Sequence, residues 1–185
     1  MPVIGARGPQ PQFRQDLHYR YLVTVGDLNE LNCERFVAAL GGVFEDSSWV
    51  AERAWARRPF GDLDDLHTAM VDAMESADAS QRLALLRAHP DLGARARMST
   101  ASATEQAGAG LDRLSADEFE RLHRMNAEYR DRFGFPFIYA VRGSTTHDIL
   151  AALDARRQNM PGEEMAEALR QVTRIARFRL EDLLT

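Results

Sequence analysis

The stretch 161–183, PGEEMAEALRQVTRIARFRLEDL, decides the fold class. A proline suits the first position of a helix, where its missing N–H is not needed. Behind it, Met165, Leu169, Val172, Ala176, Arg179 and Leu183 recur at steps of three and four residues. That period places them on one face of a helix, so a final helix is predicted from Pro161 to about Leu183. One member of the line is wrong for a core. Arg179 stands among apolar neighbours, and burying an unpaired guanidinium is costly. It therefore needs a protein carboxylate, a rim position from which to reach solvent, or an anionic ligand, for which its planar fork is suited.

Working back from that helix, the same period recurs. Thr145 or Thr146 starts a helix to about Asn159. Ser115-Ala116-Asp117-Glu118 has capping-box spacing and opens one that ends near Phe133, with Gly134 beyond it. Ser102-Ala103-Thr104-Glu105 shows the same spacing and opens a helix to about Leu111. Ser80 caps QRLALLRA, which ends by His89 because Pro90 excludes the preceding residue from the helical region. Asp62 to Ala77, Ser48 to Ala56, and Leu28 to Leu40 complete the series, the last stopped by Gly41-Gly42. Nothing reads as a sheet. The expectation is an all-α, single-domain bundle of about seven to nine helices over residues 15–185, behind a flexible arm at 1–14.

Composition removes several chemistries. The chain has 185 residues, and all 23 basic ones are arginine; there is no lysine. Schiff-base catalysis and a GK[ST] phosphate loop are excluded, and arginine stays protonated and cannot act as a base. Proton transfer is left to histidine, carboxylates, tyrosine or Cys33. A single cysteine gives no internal disulfide and no CxxC site, and no histidine pair has zinc spacing, so no metal is expected. The net charge of −5 and the scattered arginines argue against nucleic acid. No run approaches about 18 apolar residues, so no membrane span is expected.

Three segments stand out. His89-Pro90-Asp91-Leu92-Gly93 puts an imidazole on a turn, where it suits proton transfer or simply faces the end of its helix dipole. Ser102, Glu105 and Gln106 sit at a helix start, either as a capping box or as polar groups for a ligand. The glycines of Ala107-Gly108-Ala109-Gly110 read as allowing a close approach. FGFPFIYAV (133–141) reads as irregular or extended chain whose backbone can bond a flat polar heterocycle. His18, His67, His123 and His147 carry no such pattern, and Cys33 reads as packing.

Taken in order, these segments resemble the 2-oxo-4-hydroxy-4-carboxy-5-ureidoimidazoline (OHCU) decarboxylase family. The likeness runs from about residue 28 to 183. It rests on Asn32, Phe36, Trp49-Val50-Ala51 and Arg58-Pro59-Phe60, then on AHPDLG (88–93) and SATEQAGAGL (102–111). It continues through Asn126-x-x-Tyr129, RFGFPFIYAVRG (132–143), Arg156, Glu164-x-x-x-Ala168-Leu169 and Ile175-Ala176-x-x-Arg179-Leu180. The resemblance implies a homodimeric, cofactor-free carboxy-lyase that converts OHCU to (S)-allantoin in the last step of urate oxidation. It implies His89 as proton donor, with Glu105 beside it as a second catalytic residue. Pro90, Ser102, Glu105, Gln106, Phe137, Ile138, Tyr139, Ala140, Val141 and Arg179 fall at its substrate-contacting positions. Animal members end in a peroxisomal tail that this chain lacks, which points to the bacterial cytoplasm. Two other readings stand beside this one: a ureide-binding module without turnover, and an enzyme acting on a neighbouring ureide.

Overall fold

A computed structural model describes residues 23–93 and 99–184; the arm read over 1–14, and His18, lie outside the described residues. Within them the chain forms α1 (Val25–Asn29), α2 (Cys33–Leu40), α3 (Trp49–Trp55), α4 (Leu63–Glu75) and α5 (Ala79–Ala88). After these come α6 (Thr100–Gly108), a short 3-10 turn at Leu111–Arg113, α7 (Ala116–Phe133), α8 (Thr146–Arg156) and α9 (Pro161–Leu183). The only extended pairing among the described residues is an isolated bridge between Val23 and Leu184. The fold class is all-α.

Helix boundaries follow local chemistry, with instructive departures. The helix expected from Leu28 to Leu40 is two helices, because the Asn32 side chain accepts from the Arg35 amide and starts α2 afresh. Asp78, not Ser80, caps α5: its carboxylate takes the Gln81 amide and also the Ser80 hydroxyl. Ser99, not Ser102, caps α6, accepting from the Ser102 amide at 3.2 Å. The box at Ser115–Glu118 is present, and Gly134 ends α7 in the left-handed region at φ +77°. α8 stops at Arg156, before the Asn159 expected for it.

α9 is the spine. It packs against α4, α5 and α7, while α3 packs on α2 and α4. One apolar cluster runs through all these layers, with Phe36, Leu66, Met70, Leu86, Leu122 and Val172 at most 1% exposed. Half of the line expected for α9 is buried, at Val172, Ala176 and Arg179, and the rest is not. Met165 and Leu169 are half-buried and Leu183 is 43% exposed. The core-facing residues are Glu164, Ala168, Gln171, Val172, Ile175, Ala176, Arg179 and Leu180. Three of these eight are polar, and each meets a partner beside the cavity described next.

Candidate active site

α5 ends at His89, whose ψ of 140° is extended, as Pro90 requires. The ring is 8% exposed, and Nδ1 lies 3.0 Å from the Leu85 carbonyl oxygen. A carbonyl only accepts, so Nδ1 carries the hydrogen and Nε2 of the neutral ring presents a lone pair. Nε2 is buried and has no hydrogen-bond partner among the described residues. Burial holds the imidazole pKa below its ordinary 6.5, against the opposing pull of the Leu85 bond and the Glu45 charge. The turn after it is fastened at two points by residues one turn apart on α7. Asn126 of α7 donates to the Leu92 carbonyl at 2.9 Å, and Arg130 pairs with Asp91. Gly93 has φ +76°, and a Cβ there would stand 2.7 Å from the Leu122 side chain, so glycine is needed.

Because Ser99 satisfies the N-terminus of α6, the side chains of Ser102, Glu105 and Gln106 are released for other work. They lie three and four positions apart, on one face. Gln106 Oε1 accepts from the Gly93 amide at 2.8 Å, which fixes the orientation of its amide and leaves the NH2 group free to donate. Ser102 Oγ donates to Glu45 Oε2 at 2.9 Å. Glu105 takes both Nε and Nη2 of Arg179, at 3.0 and 3.2 Å. No described residue closely approaches Gly108, where an added Cβ would meet open space, and Gly110 has a φ of +79° that favours glycine.

Arg179, on the buried line of α9, is 5% exposed. Besides Glu105 it donates to Ser102 Oγ at 2.9 Å and to the carbonyls of Gly42 and Val43, and its Nη1 lies 2.8 Å from Glu45. All three guanidinium nitrogens therefore face protein acceptors. Of the sources of compensation open to it, protein carboxylates supply the charge.

Beyond Phe133, which ends α7, the aromatic segment is neither helical nor in a sheet over 134–141. Two side chains hold it in place. Gln171 of α9 accepts from the Ala140 amide at 2.9 Å, and Arg156 at the end of α8 donates to the Ile138 carbonyl at 2.8 Å. Arg156 is itself paired with the fully buried Glu164, which also receives the Tyr129 hydroxyl and, at 2.7 Å, the Asn159 amide. The Tyr139 and Val141 amides make no hydrogen bond among the described residues. Both residues line the cavity described next.

These elements enclose one cavity, about 340 Å³ of empty space with its open mouth included. His89, Pro90, Ser102, Glu105, Gln106 and Arg179 line it on one side, and Phe137, Ile138, Tyr139 and Val141 on the other. Of the residues anticipated, only Ala140 is absent from the lining, its amide being turned to Gln171. Leu92 and Ile175 add apolar wall that the sequence reading did not name. Glu45 was missed as well; it follows the buried Val43 and Phe44 and is itself 6% exposed. The three polar breaks in the α9 line were the available signal for Glu164 and Gln171, but only Arg179 was recognised. Among the described residues the other histidines do not line the cavity: His67 bonds the Thr173 carbonyl and His123 lies against Phe119. No cluster of metal-ligating side chains occurs among the described residues.

A family model described as OHCU decarboxylase matches residues 29–181. The chain belongs to the OHCU decarboxylase family. One member, a 2-oxo-4-hydroxy-4-carboxy-5-ureidoimidazoline decarboxylase of Halalkalicoccus jeotgali, is 46% identical over 161 residues, which is 87% of this chain and 92% of that protein. Among solved members, the crystal structure of an (S)-allantoin synthase superposes with a TM-score of 0.71 at 36% identity. That match covers 88% of this chain but only 54% of the longer one. The crystal structure of an OHCU decarboxylase in the presence of (S)-allantoin gives a TM-score of 0.66 at 25% identity, covering 83% of this chain and 98% of that one. The cavity described above is thus set in the fold that the OHCU decarboxylase family uses.

Proposed function

We propose that the chain decarboxylates OHCU to (S)-allantoin, closing the oxidation of urate, with His89 moving the proton and without a metal or organic cofactor. Family membership supports the reaction. The observation that carries the residue assignment is the buried, unpartnered Nε2 of His89 on the wall of a cavity that also offers a free Gln106 amide.

The substrate supplies its own electron sink. Its carboxylate leaves as CO2 and the bonding pair moves into the conjugated ring C=N, whose nitrogen is protonated. The resulting enol then becomes a carbonyl while the neighbouring ring carbon gains hydrogen, so one proton is consumed overall. A neutral His89 can take the hydroxyl proton at Nε2 and return it to that carbon; delivery to one face fixes the (S) centre. The free Gln106 NH2 and the Tyr139 and Val141 amides suit the ring and ureido carbonyls. With Arg179 already met by two protein carboxylates, the guanidinium does not clamp the departing carboxylate. A contact that held the ground state would slow its departure.

The test generates OHCU in place from urate with uricase and hydroxyisourate hydrolase and follows circular dichroism. Accelerated formation of dextrorotatory allantoin over the slow racemic background is expected. No acceleration by folded protein would instead favour a ureide-binding module. A homodimer in the bacterial cytoplasm completes the proposal, on the strength of the family resemblance; light scattering after size exclusion tests the assembly. Among the described residues no helix is long and apolar enough to cross a membrane.

A further inference from the structure

Glu45 lies beyond the turn that follows α2, outside the cavity lining, yet it is more deeply buried than Glu105. Its Oε2 does two things at once: it takes the Ser102 hydroxyl at 2.9 Å and stands 2.8 Å from Arg179 Nη1. The next residue, Asp46, has φ +43°, a left-handed conformation that a side-chain-bearing residue seldom adopts. Strain of this kind persists where the surroundings demand it, and the residue it delivers here is Glu45.

We propose, resting on the decarboxylase reading above, that Glu45 is a positioning residue for the reaction: it locks Arg179 and Ser102, and through Arg179 it sets where Glu105 stands at the cavity wall beside His89. The geometry is sequential. Arg179 grips Glu105 with its Nε and Nη2 edge, and that grip has a fixed direction only if Nη1, at the other end of the planar fork, is itself held. Glu45 holds it, with the Gly42 and Val43 carbonyls. The Ser102 hydrogen is spent on Glu45, so its oxygen is left to accept from Arg179 and from Ser99. A neutral acceptor would satisfy Nη1 as well, and a second buried carboxylate is costly to keep. The extra charge therefore has a use beyond packing.

That use is electrostatic. Burial works to raise the Glu45 pKa, but Arg179 and the Ser99 and Ser102 hydroxyls outweigh it and hold the carboxyl ionised, below its ordinary 4.5. The charges acting on His89 are Glu45 and Asp46, which favour its protonated form, and Arg179, which opposes it; Glu105 lines the same cavity. Glu45 thus offsets part of the burial that keeps the imidazole neutral.

The experiment compares wild type, Glu45→Gln and Glu45→Asp in the coupled OHCU assay across pH, with melting curves for each. Glu45→Gln is expected to lower kcat about tenfold with KM held within about twofold, as a displaced catalytic group requires. It should also move the acid limb of kcat/KM to lower pH, because His89 loses a charge that stabilises its protonated form and so becomes neutral, and competent as a base, at lower pH. Glu45→Asp keeps the charge but draws it back by one methylene, so kcat falls while the limb stays in place. A Glu45→Gln enzyme with wild-type kcat and pH profile overturns the proposal, whatever its melting temperature. If that variant does not fold, Glu45→Asp decides: wild-type kcat overturns the proposal. An inactive wild type overturns the decarboxylase reading and this proposal together, whereas an active wild type matched by its variants overturns this proposal alone.

Discussion

Gln171 and Ala140 are joined by a 2.9 Å hydrogen bond from a backbone amide to a side-chain oxygen, and the orientation of that oxygen is set in advance. The Gln171 Nε2 donates to Glu167 Oε1 at 2.6 Å, so the acceptor end can only face the 137–141 segment. A residue one turn away on α9 thereby decides how the cavity wall is presented.

Gln171→Leu leaves the fully buried Ala140 amide without a partner. The expected loss is about 1–3 kcal/mol in urea denaturation, with a raised KM because the wall is no longer held. Gln171→Glu keeps an acceptor for that amide but sets a second carboxylate against Glu167, so it is not expected to restore the stability at neutral pH. Equal stability of the Leu variant and wild type would contradict the assignment.

Glu164 is the counter-charge of Arg156 in the core. Glu164→Leu strands that guanidinium, and a loss of about 3–5 kcal/mol is expected. Tyr129→Phe removes one donor while Arg156 and Asn159 remain on the carboxylate. Its cost is only about 1 kcal/mol. Denaturation midpoints of the two variants should therefore differ widely.

His89→Asn is expected to lower kcat by about 10²–10⁴-fold, the usual contribution of a positioned acid or base. The allantoin formed in its presence should tend to racemic. Full turnover with (S) selectivity retained would remove His89 from the chemistry.

Stability also depends on the neutrality of His89. Its folded pKa lies below the ordinary 6.5, so the unfolded chain binds a proton that the folded one resists. The contribution is fully present above pH 6.5 and is lost as pH falls through the depressed folded value. Urea midpoints of wild type should therefore decline more steeply on acidification than those of His89→Gln. Parallel declines would show that the imidazole is not neutral in the fold.

Much of the fold was legible because helix ends are set by near neighbours. Pro90, the box at Ser115, Gly134 and Pro161 act over one turn, and the structure places each as expected. Ser102 misled for an equally local reason: its spacing to Glu105 imitates a capping box, but Ser99 holds the cap. The first half of the α9 face was read one position off, because Met165 and Leu169 outweigh Glu164 and Gln171 on any apolar scale, while Val172, Ala176 and Arg179 are buried as expected. The burial of that pair depends on partners in the 137–141 segment and α8, which periodicity does not contain. Glu45 shows the limit most plainly. Its meaning lies in Arg179, far along the chain, and no spacing rule connects them. The cavity residues themselves were legible chiefly through resemblance, since each short motif alone had a structural alternative.

Glu164, Gln171 and Arg179 lie seven and eight residues apart on α9, close to two turns each, so one rigid rod sets the alignment of three separate contacts. The exposed Arg170 and Arg174 between them can change in kind without disturbing that alignment, but their number cannot. Deleting a single residue between Gln171 and Arg179 leaves a sound helix. It also turns the guanidinium by about 100° and draws it back about 1.5 Å along the axis, away from both carboxylates. In this helix, length is as strictly specified as any side chain.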